Sequence, residues 1–356
     1  MQNRKSVKES SSGGTKKTRK LPVILAIILV IVLGVFSGPV SNLLGEKQTQ
    51  ELINQLEGYV SEAIKETENT TGESEVTNPT TNTITDPEGT LEMYVIDVGQ
   101  ADSILFIQED MVMLVDAGTR GAGDDVVEFL KQKNIDEIDI LIGTHPHEDH
   151  MGGMMDILEN FAVNCFYFPQ RSDVTTKYYV EILEYVVDNK VPCGSADAAD
   201  VIPFGEASIQ FITSTEPKEE KDLNNCSIVI RVTFGEIDFF LGGDIEKEVE
   251  KEILASGLEI ESEVYKASHH GSDTSNTREF VEAVNPDYVY ISCGLYNKHD
   301  HPCQSVIEMF EELKLPVYRT DESGTISVIT DGESVTTDKE PGSYISGEEK
   351  NRDKWL

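Results

Sequence analysis

The sequence predicts a layered α/β body carried behind one membrane-length segment, and three observations point to that fold class. Apolar runs of strand length fall into two clusters, amphipathic helical stretches lie between them, and a single unbroken hydrophobic segment stands near the start. The 356 residues include 29 Lys and Arg against 65 Asp and Glu, a formal charge of −36, and the 38% hydrophobic content suffices for a substantial core. This balance excludes a protein whose main work is gripping a long polyanion through a basic face. The charge is uneven: residues 1–20 sum to +6, residues 21–90 to −8 and residues 91–356 to −34.

In chain order, residues 1–20 read as a basic cytoplasmic segment and residues 21–40 as a transmembrane anchor. Leu21 to Val35 is apolar except for Pro22 and Gly34, and the run continues through Phe36 and Val40 with only small residues between. Lys16, Lys17, Arg19 and Lys20 precede it and acids follow, so the positive-inside bias places the rest of the chain outside the membrane. The length of the run favours an uncleaved anchor over a signal peptide cut near Phe36-Ser37-Gly38. Residues 41–89 read as a stalk helix, striped by Leu52, Leu56, Tyr59 and Ala63, and then a flexible linker rich in Thr, Asn, Glu, Ser and Pro. The folded body is expected over residues 90–330, and residues 331–356 read as a loose acidic tail.

Within the body, strands are predicted over residues 93–98, 103–107, 111–116, 138–142, 207–212, 227–234, 237–241, 288–291, 317–319 and 325–329. Helices are predicted over residues 125–133, 175–189, 245–256, 277–284 and 305–313. Five scattered cysteines (Cys165, Cys193, Cys226, Cys293 and Cys303) show no Cys-x-x-Cys spacing, and they read as small buried hydrophobes without a disulfide framework.

The seven histidines carry the chemistry. His145, His147 and His150 fall in Thr144-His145-Pro146-His147-Glu148-Asp149-His150, directly after an apolar strand and before Gly152-Gly153. Two imidazoles at i and i+2, with Asp and His at i+4 and i+5, can divide between two metal ions. Imidazole suits borderline metals such as zinc, and carboxylate adds a hard ligand that also accepts manganese or iron. Gly242-Gly243-Asp244 puts an acid at the carboxyl end of another strand. His269 and His270 follow Val264-Tyr265-Lys266-Ala267-Ser268, and His299 and His301 lie in Asn297-Lys298-His299-Asp300-His301-Pro302. Alone, an Asp after Gly-Gly reads equally as a turn former, and His299 reads as a surface residue. Together with the first cluster they favour one binuclear centre. No Ser-His-Asp nucleophile, phosphate loop or dinucleotide fingerprint competes, and Gly121-Ala122-Gly123 is a short turn.

THPHEDH with its trailing Gly-Gly, the Asp after Gly-Gly and the His-Gly ending resemble the metallo-β-lactamase superfamily. Asp97-Val98-Gly99-Gln100-Ala101-Asp102-Ser103, Val115-Asp116-Ala117-Gly118, Lys266-Ala267-Ser268-His269-His270-Gly271-Ser272 and the stretch from Tyr318 to Ile326 narrow the likeness to the domain that ends the ComEC competence channel proteins, over roughly residues 91–330. The resemblance implies an αββα sandwich with a dinuclear site at one edge and two divalent cations, zinc or manganese, as cofactors.

Carried over to this sequence, it implies that His145 and His147 bind the first metal, that Asp149, His150 and His270 bind the second, and that Asp244 bridges both. His269 and His301 then face the substrate as catalytic and binding groups, although His269 and His270 can exchange roles, and Asp97 orients a ligand. Asp149 and Asp244 orient the attacking water. The usual third imidazole of the first metal is missing, and Asn225 is its nearest match in spacing, placed to meet substrate. The family's His-Pro-His-Pro appears as His301-Pro302-Cys303-Gln304. Lys266, Arg278, Lys298 and Arg319 lie near these motifs and could form a small cationic patch.

The expected function is therefore a membrane-anchored, extracytoplasmic, dinuclear metal-dependent hydrolase of phosphodiesters, linked to DNA uptake or processing, with single-stranded DNA as a partner. A hydrolase of small esters (a phosphocholine-type phosphoester, a lactone or a thioester) and a metal-bearing binding module of low activity are the alternatives.

Overall fold

The computed structural model describes residues 87–353, apart from Gln170, Ser172 and residues 217–221. The expected basic segment, anchor, stalk and all but the last three residues of the linker lie outside the described residues. Among the described residues, no helix is long and apolar enough to cross a membrane.

The first half of the domain runs β1 (Leu91–Val95), β2 (Ile104–Gln108), β3 (Met111–Val115), α1 (Gly123–Gln132), β4 (Glu137–Ile138), β5 (Ile140–Ile142), α2 (Glu148–Met151), α3 (Met154–Asn160), β6 (Ala162–Val163), β7 (Phe166–Tyr167) and α4 (Lys177–Asn189). The second half runs β8 (Val201–Phe204), β9 (Ala207–Phe211), β10 (Ile230–Phe234), β11 (Ile237–Leu241), α5 (Lys247–Ser256), β12 (Val264–Lys266), α6 (Arg278–Val284), β13 (Tyr288–Ile291), α7 (Gln304–Leu313), β14 (Val317–Arg319), α8 (Thr320–Ser323), β15 (Ile326–Thr330), β16 (Val335–Thr337) and α9 (Gly347–Asp353).

These strands build two seven-stranded sheets, ordered β16-β15-β1-β2-β3-β5-β7 and β14-β13-β12-β11-β10-β9-β8, with β4 and β6 as a separate pair. Each large sheet is apolar on both faces, which is why a helix layer covers each outer face. Along β1, Leu91, Met93 and Val95 enter the core between the sheets, where they meet Ile230, Val232 and Phe234 of β10 and Phe239 of β11. The alternate residues Tyr94, Leu105, Leu114 and Leu141 face Val126, Val127 and Leu130 of α1 and Ile182 of α4. On the other side Phe240, Tyr265 and Val289 pack on Val249, Phe280 and Phe310 of the covering helices. The expected αββα layering is thus present. Each fully buried Phe or Val contributes about 1.5–3 kcal/mol of transfer free energy, so the alternation itself secures the layers.

Two runs of parallel strands set up the functional edge. β3, β5 and β7 are parallel in one sheet, and β11, β12, β13 and β14 are parallel in the other. Ligand-binding groups in such sheets collect beyond the carboxyl ends of the strands, where loops leave the hydrogen-bonded ladder.

Residues 331–353 do not form the loose tail read from the sequence. Val335–Thr337 pairs antiparallel with β15, the Gly342 amide donates to the Val317 carbonyl (2.7 Å), and the Tyr344 hydroxyl donates to the Leu315 carbonyl (2.8 Å). The guanidinium of Arg319, which is 0% exposed, donates to the Ser343 and Ile345 carbonyls, and Lys350 of α9 pairs with Asp321 (2.7 Å) and Glu322. Hydrogen bonds and ion pairs hold this segment, rather than a stripe of large apolar residues, so hydropathy did not reveal it. Cys226 and Cys293 are buried, and Cys165, Cys193 and Cys303 are partly buried.

Truncating the full chain after Thr330 strips acceptors from a buried guanidinium, at about 1–3 kcal/mol for each unsatisfied group. The thermal midpoint, followed by circular dichroism, should fall by roughly 10 °C or more, against a few degrees for Lys350→Met. A truncated chain that melts like the parent would show that these contacts carry no stability.

Candidate metal centre

The carboxyl ends of β3, β5, β11 and β12 each deliver one part of the site. The chain leaves β5 through Gly143 and Thr144 into His145, Pro146 and His147, and α2 then carries Asp149 and His150 on its single turn. Asp244 follows β11 after Gly242 and Gly243. A Cβ on Gly243, whose φ is +54°, would lie 2.9 Å from the Ser227 Cβ, so this approach requires glycine. After β12, His269 (φ 50°), His270 (φ 54°) and Gly271 (φ +80°) form a tight left-handed turn. Asn276 clamps the turn by accepting the Ser268 amide (3.1 Å) and donating to the Ser268 and Ser272 carbonyls. Non-glycine residues in this conformation cost of order 1–3 kcal/mol each, which the clamp offsets.

The donors converge. Oxygen or nitrogen atoms of Asp149, His150, Asp244 and His270 all lie within 4.8 Å of one another. Asp244 Oδ2 is 3.1 Å from His150 Nε2, 3.6 Å from His270 Nε2, 3.7 Å from His269 Nε2 and 3.9 Å from His145 Nε2. Asp149 Oδ2 is 3.5 Å from His270 Nε2, and His147 Nδ1 is 3.0 Å from His145 Nε2. All six residues expected as ligands are therefore gathered at one edge. His270 belongs to the inner group, whereas His269, with a side chain 20% exposed, sits at its rim and meets Thr274 through Nδ1 (3.1 Å).

Hydrogen bonding fixes the tautomers of the buried imidazoles. His150 Nδ1 lies 2.7 Å from Asp116 Oδ2, and Asp116 is itself held by the Thr144 amide (2.8 Å) and hydroxyl (2.7 Å). His270 Nδ1 donates to the Ser292 carbonyl (3.0 Å). His145 Nδ1 faces the hydroxyl oxygens of Thr144 (3.1 Å) and Ser227 (3.3 Å), whose protons are already given to Asp116 and to the Asn224 carbonyl. Each Nδ1 is thus a donor, and each Nε2 is left to point into the site, the orientation a metal requires. His150 Nε2, His270 Nε2 and Asp244 Oδ1 are buried without a hydrogen-bond partner among the described residues. Borderline and hard donor atoms left without partners and gathered in one place fit divalent cations, which would displace any protons they carry.

The electrostatics match this geometry. Burial alone would raise the Asp244 carboxyl, but His150, His270 and His145 hold it well below the usual carboxylate range. Asp149 is likewise held low, against its burial, by His270 and His150. Burial pushes both His150 and His270 down, yet Asp244 and Asp116 carry His150 well above its ordinary value, and Asp244 and Asp102 carry His270 up to about 10. His145 is lowered by burial and by His150. His301 is lowered to about 3 by burial and by His270, His269 and His299. It is therefore neutral. The Gly294 amide donates to Gln100 Oε1 (3.0 Å), which turns the Gln100 amide nitrogen toward His301 Nδ1 (3.3 Å). That nitrogen accepts, so His301 carries its proton on Nε2.

Three expectations need correction. Asp97 does not orient a ligand: it is exposed, and its carboxylate accepts the Gly99 amide (3.2 Å). That work falls to Asp116 and to Asp102, which lies 3.3 Å from His270 Nδ1 and pairs with buried Lys266 (2.9 Å). Asn225 is buried, with Oδ1 accepting the Glu246 amide (3.0 Å), and the residue of this segment that reaches the site is Ser227, which also accepts the Asp244 amide (3.1 Å). The cationic patch does not form, because Lys266 and Arg319 are buried in ion pairs and Arg278 pairs with Glu282 (3.7 Å) and Glu312. Asp116 was findable from the signal that picked out Asp244, an acid just after an apolar run, whereas Asp102 and Ser227 offered none.

A metal titration with a competing chromophoric chelator checks this arrangement. Asp116→Asn keeps the shape and tolerates the positive φ of this position (59°) but loses the charged acceptor, and should weaken binding about 10–100-fold, whereas Asp97→Asn should bind like the parent. Because cations displace protons that His150 and His270 hold with raised affinity, binding should release protons and keep tightening as pH rises toward 10. A plateau reached near pH 6.5 would contradict the placement of these imidazoles.

Comparison with known proteins agrees with this geometry. The family model described as the Metallo-beta-lactamase superfamily matches residues 96–295. ComE operon protein 3 of Bacillus subtilis (strain 168) is 30% identical over 259 residues, covering 67% of this chain and 33% of that protein. Competence protein ComA of Neisseria gonorrhoeae is 27% identical over 248 residues, covering 67% and 32%. The chain thus spans about a third of the length of the curated relatives it matches. Among solved structures, CmlA, a diiron beta-hydroxylase from Streptomyces venezuelae, aligns with a TM-score of 0.42 and 17% identity over 67% of this chain and 52% of that one.

Proposed function

The chain belongs to the metallo-β-lactamase superfamily and resembles the ComEC competence proteins, and from that premise we propose that it is a metal-dependent phosphodiesterase acting on single-stranded nucleic acid. The observation that carries the reading is the inner group itself, in which Asp149, His150, Asp244 and His270 converge and His145 and His147 lie beside them. The competence relatives named above supply the nucleic-acid part of the proposal. Asp149, His150, Asp244 and His270 would hold one divalent cation, and His145, His147 and Asp244 a second, zinc or manganese. When bound, such a pair would lower the pKa of a water to about 7 and neutralise charge on the attacked ester.

The protein's own groups do the rest. Asp149 and Asp244 accept hydrogen bonds from the attacking water and orient it. His301, neutral and protonated on Nε2, donates to a phosphoryl oxygen, and His269 at the rim holds a second oxygen or protonates the leaving group. Asp116, Asp102 and Ser292 keep the ligand imidazoles in one tautomer, so little rearrangement is needed during turnover. Residues 91–356 hold 20 bases and 54 acids, so such an enzyme engages only the few phosphates near the centre.

The full chain, loaded with zinc or manganese, should hydrolyse single-stranded DNA and bis-p-nitrophenyl phosphate. Asp244→Asn should lower kcat/KM at least about a hundredfold. Since each contacted phosphate of a single strand contributes about 0.7 to the salt slope, the logarithm of affinity should fall with log salt at about −0.7 to −1.4, regardless of strand length. Turnover of p-nitrophenyl phosphorylcholine or a lactone, with none of DNA, would replace this reading by that of a small-ester hydrolase.

The same proposal places the domain outside the cell on the anchor read at residues 21–40. A protease added to intact cells should release the domain by cutting within residues 66–89. Protection until lysis would reverse the orientation.

A further inference from the structure

Glu250 is a buried acid that the proposed mechanism does not use. It lies in the first turn of α5, is 0% exposed, and its carboxylate accepts the amides of Asn276 (2.5 Å) and Thr277 (3.0 Å) just before α6. Burial raises its carboxyl above the ordinary value, and Thr277, Asn276 and Lys247 offset this only in part. An acid raised in this way binds its proton more tightly in the folded chain, so ionising it as pH rises to neutrality removes stability. The fold is therefore not what the charge serves.

Asn276 shows what it does serve. This residue is 2% exposed and left-handed (φ 59°), and its side chain is fully committed. Its Oδ1 accepts the Tyr265 hydroxyl (2.9 Å) and the Ser268 amide (3.1 Å), while Nδ2 donates to the Ser268 (2.9 Å) and Ser272 (3.2 Å) carbonyls. Those bonds clamp the turn that carries His269 and His270. The clamp is only as steady as the backbone of Asn276, which the charge-assisted bonds to Glu250 hold against α5. α5 in turn continues the loop that carries Asp244. Along this junction the Lys247 amide donates to the Thr274 carbonyl (3.1 Å), the Ser275 hydroxyl to the Ile245 carbonyl (2.7 Å) and the His269 amide to the Gly243 carbonyl (3.0 Å). The two ligand-bearing loops are thus stitched together, and Glu250 supplies the charged bonds of the seam.

We propose that Glu250 is a positioning residue of the metal centre: through Asn276 it sets the placement of His270 against Asp244, whose Nε2 and Oδ2 lie 3.6 Å apart, and so how tightly the centre holds its cations. The inference rests on the reading of Asp244 and His270 as ligands and not on the choice of substrate.

The test uses the full chain stripped of metal, zinc, and a competing chromophoric chelator. Glu250→Gln keeps the shape and one acceptor oxygen but turns an amide NH2 toward the other backbone N–H. Zinc affinity should fall about tenfold, while the thermal midpoint without metal stays within a few degrees of the parent's. Hydrogen exchange over residues 266–277, also without metal, should quicken. Asn276→Gly accepts the left-handed φ but deletes the clamp, and should weaken zinc binding at least as much. Adding Glu250→Gln to it should cause no further loss, because both act on one clamp. Val249→Ala, which removes a core contact beside Glu250 on α5, should lower the midpoint and leave affinity at the parent's level. Unchanged affinity in Glu250→Gln overturns the inference, as do losses that add in the double variant, an equal loss in Val249→Ala, or a Glu250→Gln chain that does not fold. No zinc uptake by the parent sinks the reading of the ligands and this inference with it. Uptake by the parent, weakened in the variants, supports the positioning role even if no phosphodiester is hydrolysed, an outcome that sinks the phosphodiesterase reading alone.

Discussion

The functional edge depends on keeping one carboxylate, Asp244, charged where water cannot reach it. Stranding a lone carboxylate in such a place is prohibitive. The protein meets the cost by surrounding Asp244 with imidazoles from two directions, His145 and His150 from the loop after β5 and His269 and His270 from the turn after β12. Those directions correspond to the two sheets, so the apolar core between the sheets is also the spacer that sets how closely the imidazoles approach the acid. The positive φ at Asp116, His269 and His270 and the Gly-Gly approach to Asp244 are local costs of that convergence, and they are tolerable because a large packed core supplies the stability that they consume.

Much of this edge was legible in the sequence because the chemistry uses rare residues. Seven histidines in 356 residues, three of them within six positions, leave little room for an accidental pattern. Most strands were legible because a sheet that is apolar on both faces needs near-continuous Val, Ile, Leu and Phe, whereas β7, β8, β12 and β16 are too short or too polar for such a run and were not predicted. Groups that act through others were harder to read. Ser227 is one serine among many, and its importance comes from standing between His145 and Asp244 in space. Asp97 and Asp102 share one short motif, and only the turn between them decides which faces inward. The segment after Thr330 escaped notice because polar contacts with long sequence separation hold it, and windowed hydropathy does not register these.

The charge distribution is informative once the pairs are known. A body of −34 appeared ill suited to a phosphate ester, yet net charge is a poor guide when the decisive field is local. Cations in the inner group would dominate the potential felt by a bound ester, while the surrounding acids would repel the rest of a polyanion. Such an arrangement favours brief, local engagement over tracking along a strand.

Asn351 of α9 braces the turn that carries His301, donating to the Asn297 carbonyl (2.8 Å) and to Asp300 (2.6 Å). The contact between Gln100 and His301 that fixes a tautomer at the centre joins residues 201 positions apart, and the turn carrying His301 gains its outer brace only when Asn351 has been added. A chain emerging from the ribosome therefore exposes the His145–His150 donors long before the partners that complete the centre exist. During that interval the donors form an open, undiscriminating chelate. A chain exported before it folds would acquire its metals outside the cell, and the ions available there, rather than the cytoplasmic pool, would decide what the finished centre contains.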